Sequence, residues 1–186
     1  QILSNKNMRW ASNLFHVGIL LLFLGHFVGL LTPPELFHVL GISAGAKQVL
    51  AIVVGSIAGL MCFVGLTMLV RRRLTDSRVR ANSTRMDIFI LLLLYVQLIL
   101  GLLTVPVSLM HLDGANMLLL MAWARNVVTF DPAEAVAAIS SIGFLFKLHI
   151  FLGLTTFLVF PFSRLVHIWS APLTYPVRAY QVVRQR

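Results

Sequence analysis

The chain has 186 residues, of which 59% are hydrophobic and only 11% are charged. This apolar content exceeds the roughly 45–50% of soluble domains, and the mean hydropathy of +0.90 argues against a soluble globular fold. The formal charge of +9 does not indicate nucleic-acid binding, because the Lys and Arg residues cluster at the ends of apolar runs, as they do in membrane proteins.

Four apolar segments predict transmembrane helices, since a helix of about 18–20 apolar residues can cross the hydrocarbon core. They cover residues 11–32, 49–70, 88–108 and 142–169. No Gly/Ser-rich or Pro-rich linker separates them. We therefore predict that residues 1–186 form one all-α integral membrane domain, a four-helix bundle.

The distribution of basic residues predicts how these helices are oriented. Lys47 is the only basic residue between the first two segments, whereas the loop between the second and third contains Arg71, Arg72, Arg73, Arg78, Arg80 and Arg85. Basic loops face the cytoplasm. Both ends of the chain, including a basic tail at residues 170–186, are then expected to be cytoplasmic.

The long connection at residues 110–141 lies on the periplasmic side in this arrangement. It contains an amphipathic stretch, residues 117–128, in which Trp123 and Arg125 suit a membrane interface. We expect an interfacial helix here. It could act as a lid over a ligand entrance or as a simple surface cover, and the sequence favours neither.

Four histidines lie within the apolar segments, where even a neutral imidazole needs a partner. His16 and His26 are on the first segment, and His149 and His167 are on the antiparallel fourth. This order pairs His16 with His167 near the cytoplasm and His26 with His149 near the periplasm. We predict that each pair ligates a b-type haem. Cys62 is the only cysteine, so no covalent haem attachment is expected.

The spacing within the two segments does not match. His16 and His26 are ten residues apart and His149 and His167 eighteen, which corresponds to roughly 15 and 27 Å in a continuous helix. Eighteen residues would place His149 and His167 on one face, whereas ten leave the other two roughly 80° apart. Pro161 could kink the fourth helix and shorten its reach. The mean gap predicts irons about 20 Å apart.

Small residues near the proposed ligands admit two interpretations. They are Gly18, Gly25, Gly29 and Gly153, and they could make room for a porphyrin or allow close helix packing. For Gly55 and Gly59 on the second segment, helix packing is the better interpretation, and the same holds for Cys62 as a small buried residue.

Three further residues besides the four histidines could contribute to the site. Arg164, close to His167, could pair with a haem propionate or anchor the chain at the cytoplasmic interface. His38 and His111 follow the first and third segments, where water can solvate them, and we do not expect either to be a haem ligand. Either could still transfer a proton.

Two functions without haem also account for histidines inside a membrane. A transporter or channel could use them as a proton relay. A passive membrane anchor could use them only for packing. The transporter hypothesis predicts no haem absorption in the purified protein. The anchor hypothesis predicts that changing the four histidines leaves redox activity intact and disrupts assembly only where packing changes.

Several long motifs closely resemble the gamma subunit of bacterial respiratory nitrate reductase. They are NLFHVGILLLFLGHFVGLLTP, RRRLTDSRVRANSTRMD, QLILGLLTVP, MHLDG and FPFSRLVHIWSAP, and they extend over nearly the whole chain in order. The resemblance implies a dihaem cytochrome b of the bacterial inner membrane that oxidises quinol at the periplasmic side. Electrons would pass to an iron–sulfur beta subunit and then to a molybdenum-containing alpha subunit, where nitrate is reduced.

The resemblance also implies roles for particular residues. It assigns His26 and His149 to the distal haem and His16 and His167 to the proximal haem, while Lys47 matches a lysine at the family's quinol site. A snorkelling anchor is the alternative for Lys47. Family members usually have five spans, so we expect that a helix before the first segment is missing. A dihaem subunit of another complex, such as a heterodisulfide-reductase-like system, is the second interpretation.

Overall fold

The structure, a computed structural model, describes residues 6–168. Within this range every regular element is helical, as predicted. In chain order the helices are α1 (Lys6–Leu31), α2 (Pro34–Val39), α3 (Ala44–Thr75), α4 (Ser77–Ala81), α5 (Arg85–Leu109), α6 (Ala115–Val128), α7 (Pro132–Ser140) and α8 (Phe144–Val159). Two 3₁₀ turns follow, Phe160–Phe162 and Arg164–Ile168. The tail at 170–186 and Trp169 lie outside the described residues.

Four of these elements are long and apolar enough to span a membrane. They cover Asn7–Leu31, Ala44–Thr75, Arg85–Leu109 and Phe144–Phe162, so the four predicted segments are confirmed. The first three begin earlier than the apolar runs, because helix formation continues into polar flanks. At the starts of α3 and α5, the caps Ser43 and Thr84 satisfy the first free backbone N–H groups. Thus Ser43 Oγ accepts a hydrogen bond from the N–H of Ala46, at 3.2 Å, where α3 begins.

The fourth span does not continue as a helix to residue 169. α8 ends at Val159, and Pro161 lies in the first 3₁₀ turn, where its missing N–H removes a helical hydrogen bond. Ser163 then adopts an extended backbone conformation, with φ −117° and ψ 169°. His167 follows in the second 3₁₀ turn. The prediction that His149 and His167 share one helical face is therefore wrong. Because the helix is interrupted between them, these two histidines can lie opposite His26 and His16 although the spacing is eighteen residues in one segment and ten in the other.

Helices α1 and α3 pack through glycines that allow their backbones to approach closely. A Cβ atom on Gly18 would lie 2.8 Å from the Cβ of Cys62, and one on Gly65 would lie 2.6 Å from the carbonyl oxygen of Ala11. Real side chains do not tolerate such contacts. Gly18 therefore serves helix packing rather than making room for a ligand.

The four spans are arranged in the order α1, α3, α5, α8. Within the described residues each packs closely on the next, whereas α1 and α8 have no close packing along their lengths. The core between α1, α3 and α5 contains Cys62, Leu66, Val70 and Leu98. Cys62 is fully buried, as expected of a packing residue.

Helices α6 and α7 lie at the end of the bundle where α3 begins. α6 lies within the long connection at residues 110–141, and it packs on α1 and α3 with Met121 and Ala124 buried. α7 was not predicted. It begins at Pro132, and the carboxylate of the preceding Asp131 accepts a hydrogen bond from the N–H of Glu134. We call this end of the bundle the α6 end, and the end with α4 the basic end.

Candidate functional site

The structure brings the rings of His26 and His149 together near the α6 end. Their centroids are 6.1 Å apart, with an angle of 40° between the ring planes. His26 projects from α1 and His149 from α8, the two spans that do not pack directly on one another. The two imidazoles are thus the groups that face each other across this gap.

A second pair lies toward the basic end. The ring centroids of His16 and His167 are 6.5 Å apart, with an interplanar angle of 69°. His16 is on α1, and His167 is on the second 3₁₀ turn. All four histidines named from the sequence therefore occur in two pairs, in the combination that the antiparallel order predicts.

Hydrogen bonds orient three of the four rings. The Nδ1 atoms of His16 and His26 are each 2.7 Å from a carbonyl oxygen four residues earlier, that of Ser12 and Leu22 respectively. His167 Nδ1 is 2.5 Å from the carbonyl oxygen of Arg164. A carbonyl can only accept, so Nδ1 carries the hydrogen and Nε2 is the nitrogen able to bind a metal.

The separation within each pair fits a shared metal. Two imidazoles bound to one metal through bonds of ~2 Å hold their ring centres roughly 6 Å apart, and the measured distances are 6.1 and 6.5 Å. Residues 6–168 contain no group of three or more His, Cys, Asp or Glu side chains that could hold a metal. Each pair therefore suits a metal whose other ligands belong to a macrocycle, as in haem.

The His149 ring lies against α5. Its Nδ1 is buried without a hydrogen-bond partner in the described part of the chain. Gln97 Nε2 donates to the carbonyl oxygen of His149 at 2.9 Å. A Cβ atom on Gly101 would lie only 3.0 Å from His149 Cε1, so a side chain at this position would crowd the ring. A Cβ atom on Gly153 would lie 3.1 Å from Gln97 Nε2, so Gly153 makes room for the Gln97 side chain.

The glycines on α1 near His26 differ from Gly18. A Cβ atom on Gly25 or Gly29 would meet no atom within 4 Å. The same is true of Gly55 on α3, so only Gly59 of the Gly55 and Gly59 pair packs as predicted, against Leu102. Neither Gly25 nor Gly29 therefore packs against a neighbouring helix, which agrees with the interpretation that they leave room for a ligand.

Lys47 is buried at the start of α3, with 7% of its surface exposed. Its ammonium group donates to the carbonyl oxygen of Gly29 at 2.9 Å and contacts Met121 Sδ at 3.0 Å. It also lies 3.8 Å from the centre of the Phe37 ring, a cation–π contact. A snorkelling lysine would extend to the surface, so this geometry disfavours the anchor interpretation.

A small cleft of about 20 Å³ adjoins Lys47 at the α6 end. It is formed by α2, the first turn of α3 and α6, and His38 is among its lining residues. Glu35 on α2 and Arg125 on α6 form an ion pair at 4.0 Å on the outside. The predicted interfacial helix therefore covers Lys47, and its side chain Met121 contacts the ammonium group directly.

Arg164 and Asp87 form an ion pair at the basic end. Arg164 Nε is 2.9 Å from Asp87 Oδ1; the arginine side chain is 68% exposed and the aspartate 5%. Asp87 is also the third residue of α5, where its Oδ2 accepts from the N–H of Thr84 at 2.9 Å and completes a capping box. Arg164 thus has a protein partner that the sequence analysis did not identify.

His111 belongs to the connection between α5 and α6. Its Nδ1 lies 3.2 Å from the carbonyl oxygen of Val107, and its own carbonyl accepts a hydrogen bond from buried Gln48. Gln48 also donates to the carbonyl oxygen of Ser108 at 2.9 Å. These contacts link the end of α5 to the start of α3, so the backbone of His111 contributes to the packing of these helices.

Sequence reasoning missed the residues that support the histidines and Lys47. They are Phe37, Asp87, Gln97, Gly101 and Met121. A polar Gln97 inside an apolar run was a usable signal, because buried amides need partners. The T-x-x-D pattern at Thr84 and Asp87 resembles a capping box, but nothing in it indicated contact with Arg164.

Comparisons with known proteins identify similar sequences. The family described as "Nitrate reductase gamma subunit" matches residues 1–186. The chain is 48% identical to the respiratory nitrate reductase 1 gamma chain of Escherichia coli (strain K12), and 36% identical to the nitrate reductase gamma chain of Bacillus subtilis (strain 168). Both alignments include 100% of this chain and 82% of the relative. An Hdr-like menaquinol oxidoreductase cytochrome b-like subunit of Archaeoglobus profundus is 26% identical, over 90% of this chain and 50% of the relative.

Proposed function

This chain belongs to the nitrate reductase gamma subunit family, a family of membrane subunits of an oxidoreductase, and on that basis we propose that it is a dihaem cytochrome b that oxidises quinol. The observation that carries this proposal is the occurrence of two histidine pairs with ring centres 6.1 and 6.5 Å apart. When bound, a b-type haem supplies one-electron chemistry at iron, and two histidine ligands favour electron transfer over oxygen chemistry.

Four histidines would hold the two haems in this proposal. His26 and His149 would hold the distal haem near the quinol site, and His16 and His167 would hold the proximal haem near the basic end. Arg164, with its Nε on Asp87, would have its terminal nitrogens available to bind a propionate of the proximal haem. The open space at Gly25 supports the placement of the distal haem beside His26.

Lys47 is the proposed hydrogen-bond donor to a quinol oxygen. Its ammonium contacts Gly29, which follows His26 by three residues on α1, so it lies beside the distal pair. The cleft beside Lys47, between α2, α3 and α6, is where a quinol head group would approach this nitrogen. His38, which lines the same cleft, is suited to receive a proton released on oxidation.

The proposal places the chain in the bacterial inner membrane with partner subunits. The basic end faces the cytoplasm and meets an iron–sulfur beta subunit, which passes electrons to a molybdenum-containing alpha subunit that reduces nitrate. The gamma chain itself does not reduce nitrate. Relatives named as nitrate reductase gamma chains support such a complex, because a gamma chain implies further chains.

Removing one histidine tests the proposal. We expect that His26→Ala eliminates one of two haem signals in a reduced-minus-oxidised spectrum of the purified complex, and that the haem-to-protein ratio is halved. His38→Ala is the matched control, since this histidine is not a proposed ligand, and it should retain both signals. A full two-haem spectrum in both His26→Ala and His149→Ala would contradict the ligand assignment.

The wild-type spectrum separates a cytochrome from the functions without haem. A proton-relaying transporter and a passive anchor both predict no stoichiometric haem absorption in the purified protein. Absence of haem from the intact complex would therefore overturn the whole proposal. A wrong assignment of one histidine would change only the assignment of the haem bound by that pair.

A dihaem subunit of another quinol-linked complex is the second candidate. Similarity to the Archaeoglobus profundus menaquinol oxidoreductase subunit favours it, since that relative aligns with 90% of this chain. The soluble subunits that co-purify with the chain distinguish the two candidates. A molybdenum-containing subunit with nitrate-reducing activity supports the first, and a different catalytic subunit supports the second.

A further inference from the structure

The proximal ligand His167 is located on a segment with little regular structure. It follows the extended residue Ser163 and lies in the 3₁₀ turn Arg164–Ile168. Val166 and Ile168 on this turn are 42% and 54% exposed, so apolar burial does not fix its position. Within the described residues, only the preceding 3₁₀ turn packs closely on it.

A buried carboxylate on another helix holds this segment. Asp87 Oδ1 accepts from Arg164 Nε at 2.9 Å, and the carbonyl oxygen of the same Arg164 accepts from His167 Nδ1 at 2.5 Å. A continuous series of contacts therefore links α5 to the imidazole. Ser163 reinforces the bend, since its Oγ donates to the carbonyl oxygen of Phe160 at 2.9 Å.

Asp87 is itself rigidly placed. Its side chain is 5% exposed, its Oδ2 is fixed by the N–H of Thr84, and it lies in the first turn of α5, where the helix dipole favours a negative charge. A pair with one buried, doubly hydrogen-bonded partner constrains geometry more than an exposed ion pair does.

We propose that Asp87 is a positioning residue that, through Arg164, sets the orientation of the His167 imidazole and thereby the ligand field of the proximal haem. This inference rests on the proposed function, because it concerns a haem at the His16 and His167 pair. It predicts an effect confined to that haem, since His26 and His149 are located on α1 and α8 toward the opposite end.

Asp87→Asn is the informative substitution. Both carboxylate oxygens of Asp87 are in use as acceptors, whereas an amide has only one acceptor oxygen. The substituted side chain can therefore keep either the Thr84 contact or the Arg164 contact, but not both. Arg164→Gln removes the same contact by changing the exposed partner, and it leaves the Thr84 and Asp87 capping box intact. It therefore tests the proposal even if Asp87→Asn accumulates poorly.

The experiment uses the purified complex with its haems and compares ferric electron paramagnetic resonance spectra and redox titrations. The proximal signal is the one that His16→Ala eliminates. Asp87→Asn and Arg164→Gln should each shift its g values and reduction potential and leave the distal signal unchanged. The double variant should shift them no further than Arg164→Gln alone, because Asp87 is proposed to act on this haem only through Arg164.

Asp76→Asn is the matched control, because Asp76 forms an exposed ion pair with Arg72 at 3.9 Å at the same end of the bundle. It should leave both signals unaltered. The inference is overturned if Asp87→Asn gives the same spectra as Asp76→Asn, or if both haem signals change equally. A wild-type complex without two haems would instead overturn the proposed function.

Discussion

Three of the four paired imidazoles are oriented by carbonyls of their own segments, whereas the His149 ring packs against a neighbouring helix. For His16 and His26, the acceptor lies four residues earlier, which is one helical turn. That arrangement follows from helix formation alone. His149 depends on Gln97 and Gly101 of α5, so its geometry could not be derived from its own sequence neighbourhood.

Gly101 should be essential for the distal haem. In Gly101→Val, the added carbons would overlap the His149 ring, since even a Cβ atom lies 3.0 Å from Cε1. The ring must then move away from His26, and we expect selective loss of the distal haem signal. Visible spectra and haem-to-protein ratios measure this. Leu103→Val, at an exposed position on the same helix, is the control, and retention of both haems in Gly101→Val would contradict the argument.

Lys47 should affect quinol oxidation without affecting haem content. Lys47→Ala removes an ammonium that is held by Gly29 and Met121 beside the distal pair. Loss of one hydrogen bond from a charged group costs about 1.5–3 kcal/mol, so we expect a rate decrease of roughly tenfold or more. Steady-state quinol oxidation measures this decrease. Lys147→Ala, whose ammonium contacts the carbonyl of Ser140 at 2.8 Å, should have little effect; unchanged kinetics in Lys47→Ala would exclude its role.

At the scale of elements, the α1–α3 contact supports both histidine pairs, because α1 contributes one ring to each. Gly65 allows this contact: a Cβ atom there would lie 2.5 Å from the Phe15 backbone nitrogen. We expect Gly65→Val to destabilise the bundle by about 1–3 kcal/mol or more and to reduce both haems together. Thermal unfolding in detergent with haem quantification tests this. Gly55→Val, on the same helix but facing open space, should behave as wild type.

The break in the fourth span also depends on contacts between elements. Pro161 was visible in the sequence as a kink, but the extended Ser163 and the following 3₁₀ turn were not. A proline removes one helical hydrogen bond, and whether the chain then resumes a helix depends on its tertiary partners. Here the Asp87 and Arg164 pair provides such a partner.

At the scale of the whole molecule, α1 and α8 are the first and last spans and do not pack closely on each other. The His26 and His149 pair lies between these two helices, and the His16 and His167 pair lies between α1 and the 3₁₀ turn after α8. A macrocycle between α1 and α8 would complete contacts that the helices do not make directly. The bundle and its haems are thus expected to depend on each other for stability.

Orientation in the membrane is testable with introduced cysteines. We expect that Phe130→Cys at the α6 end reacts with a membrane-impermeant maleimide added to intact cells, or to spheroplasts where an outer membrane blocks access. Ser77→Cys at the basic end should react only after lysis. Both positions are exposed, and the native Cys62 is fully buried, which limits background labelling. The opposite labelling pattern would reverse the proposed direction of electron flow.

Local sequence properties were sufficient to predict the membrane class, the four spans and which histidines lie opposite each other. These depend on local properties: apolar length, and the depth that each residue occupies in an antiparallel pair. Tertiary structure alone decided which glycines pack and which face open space, that Lys47 is buried against Met121, and that Arg164 reaches Asp87. The physical reason is that those contacts join residues far apart in the chain, such as Lys47 and Met121, whose meeting depends on how the helices pack and not on any local pattern.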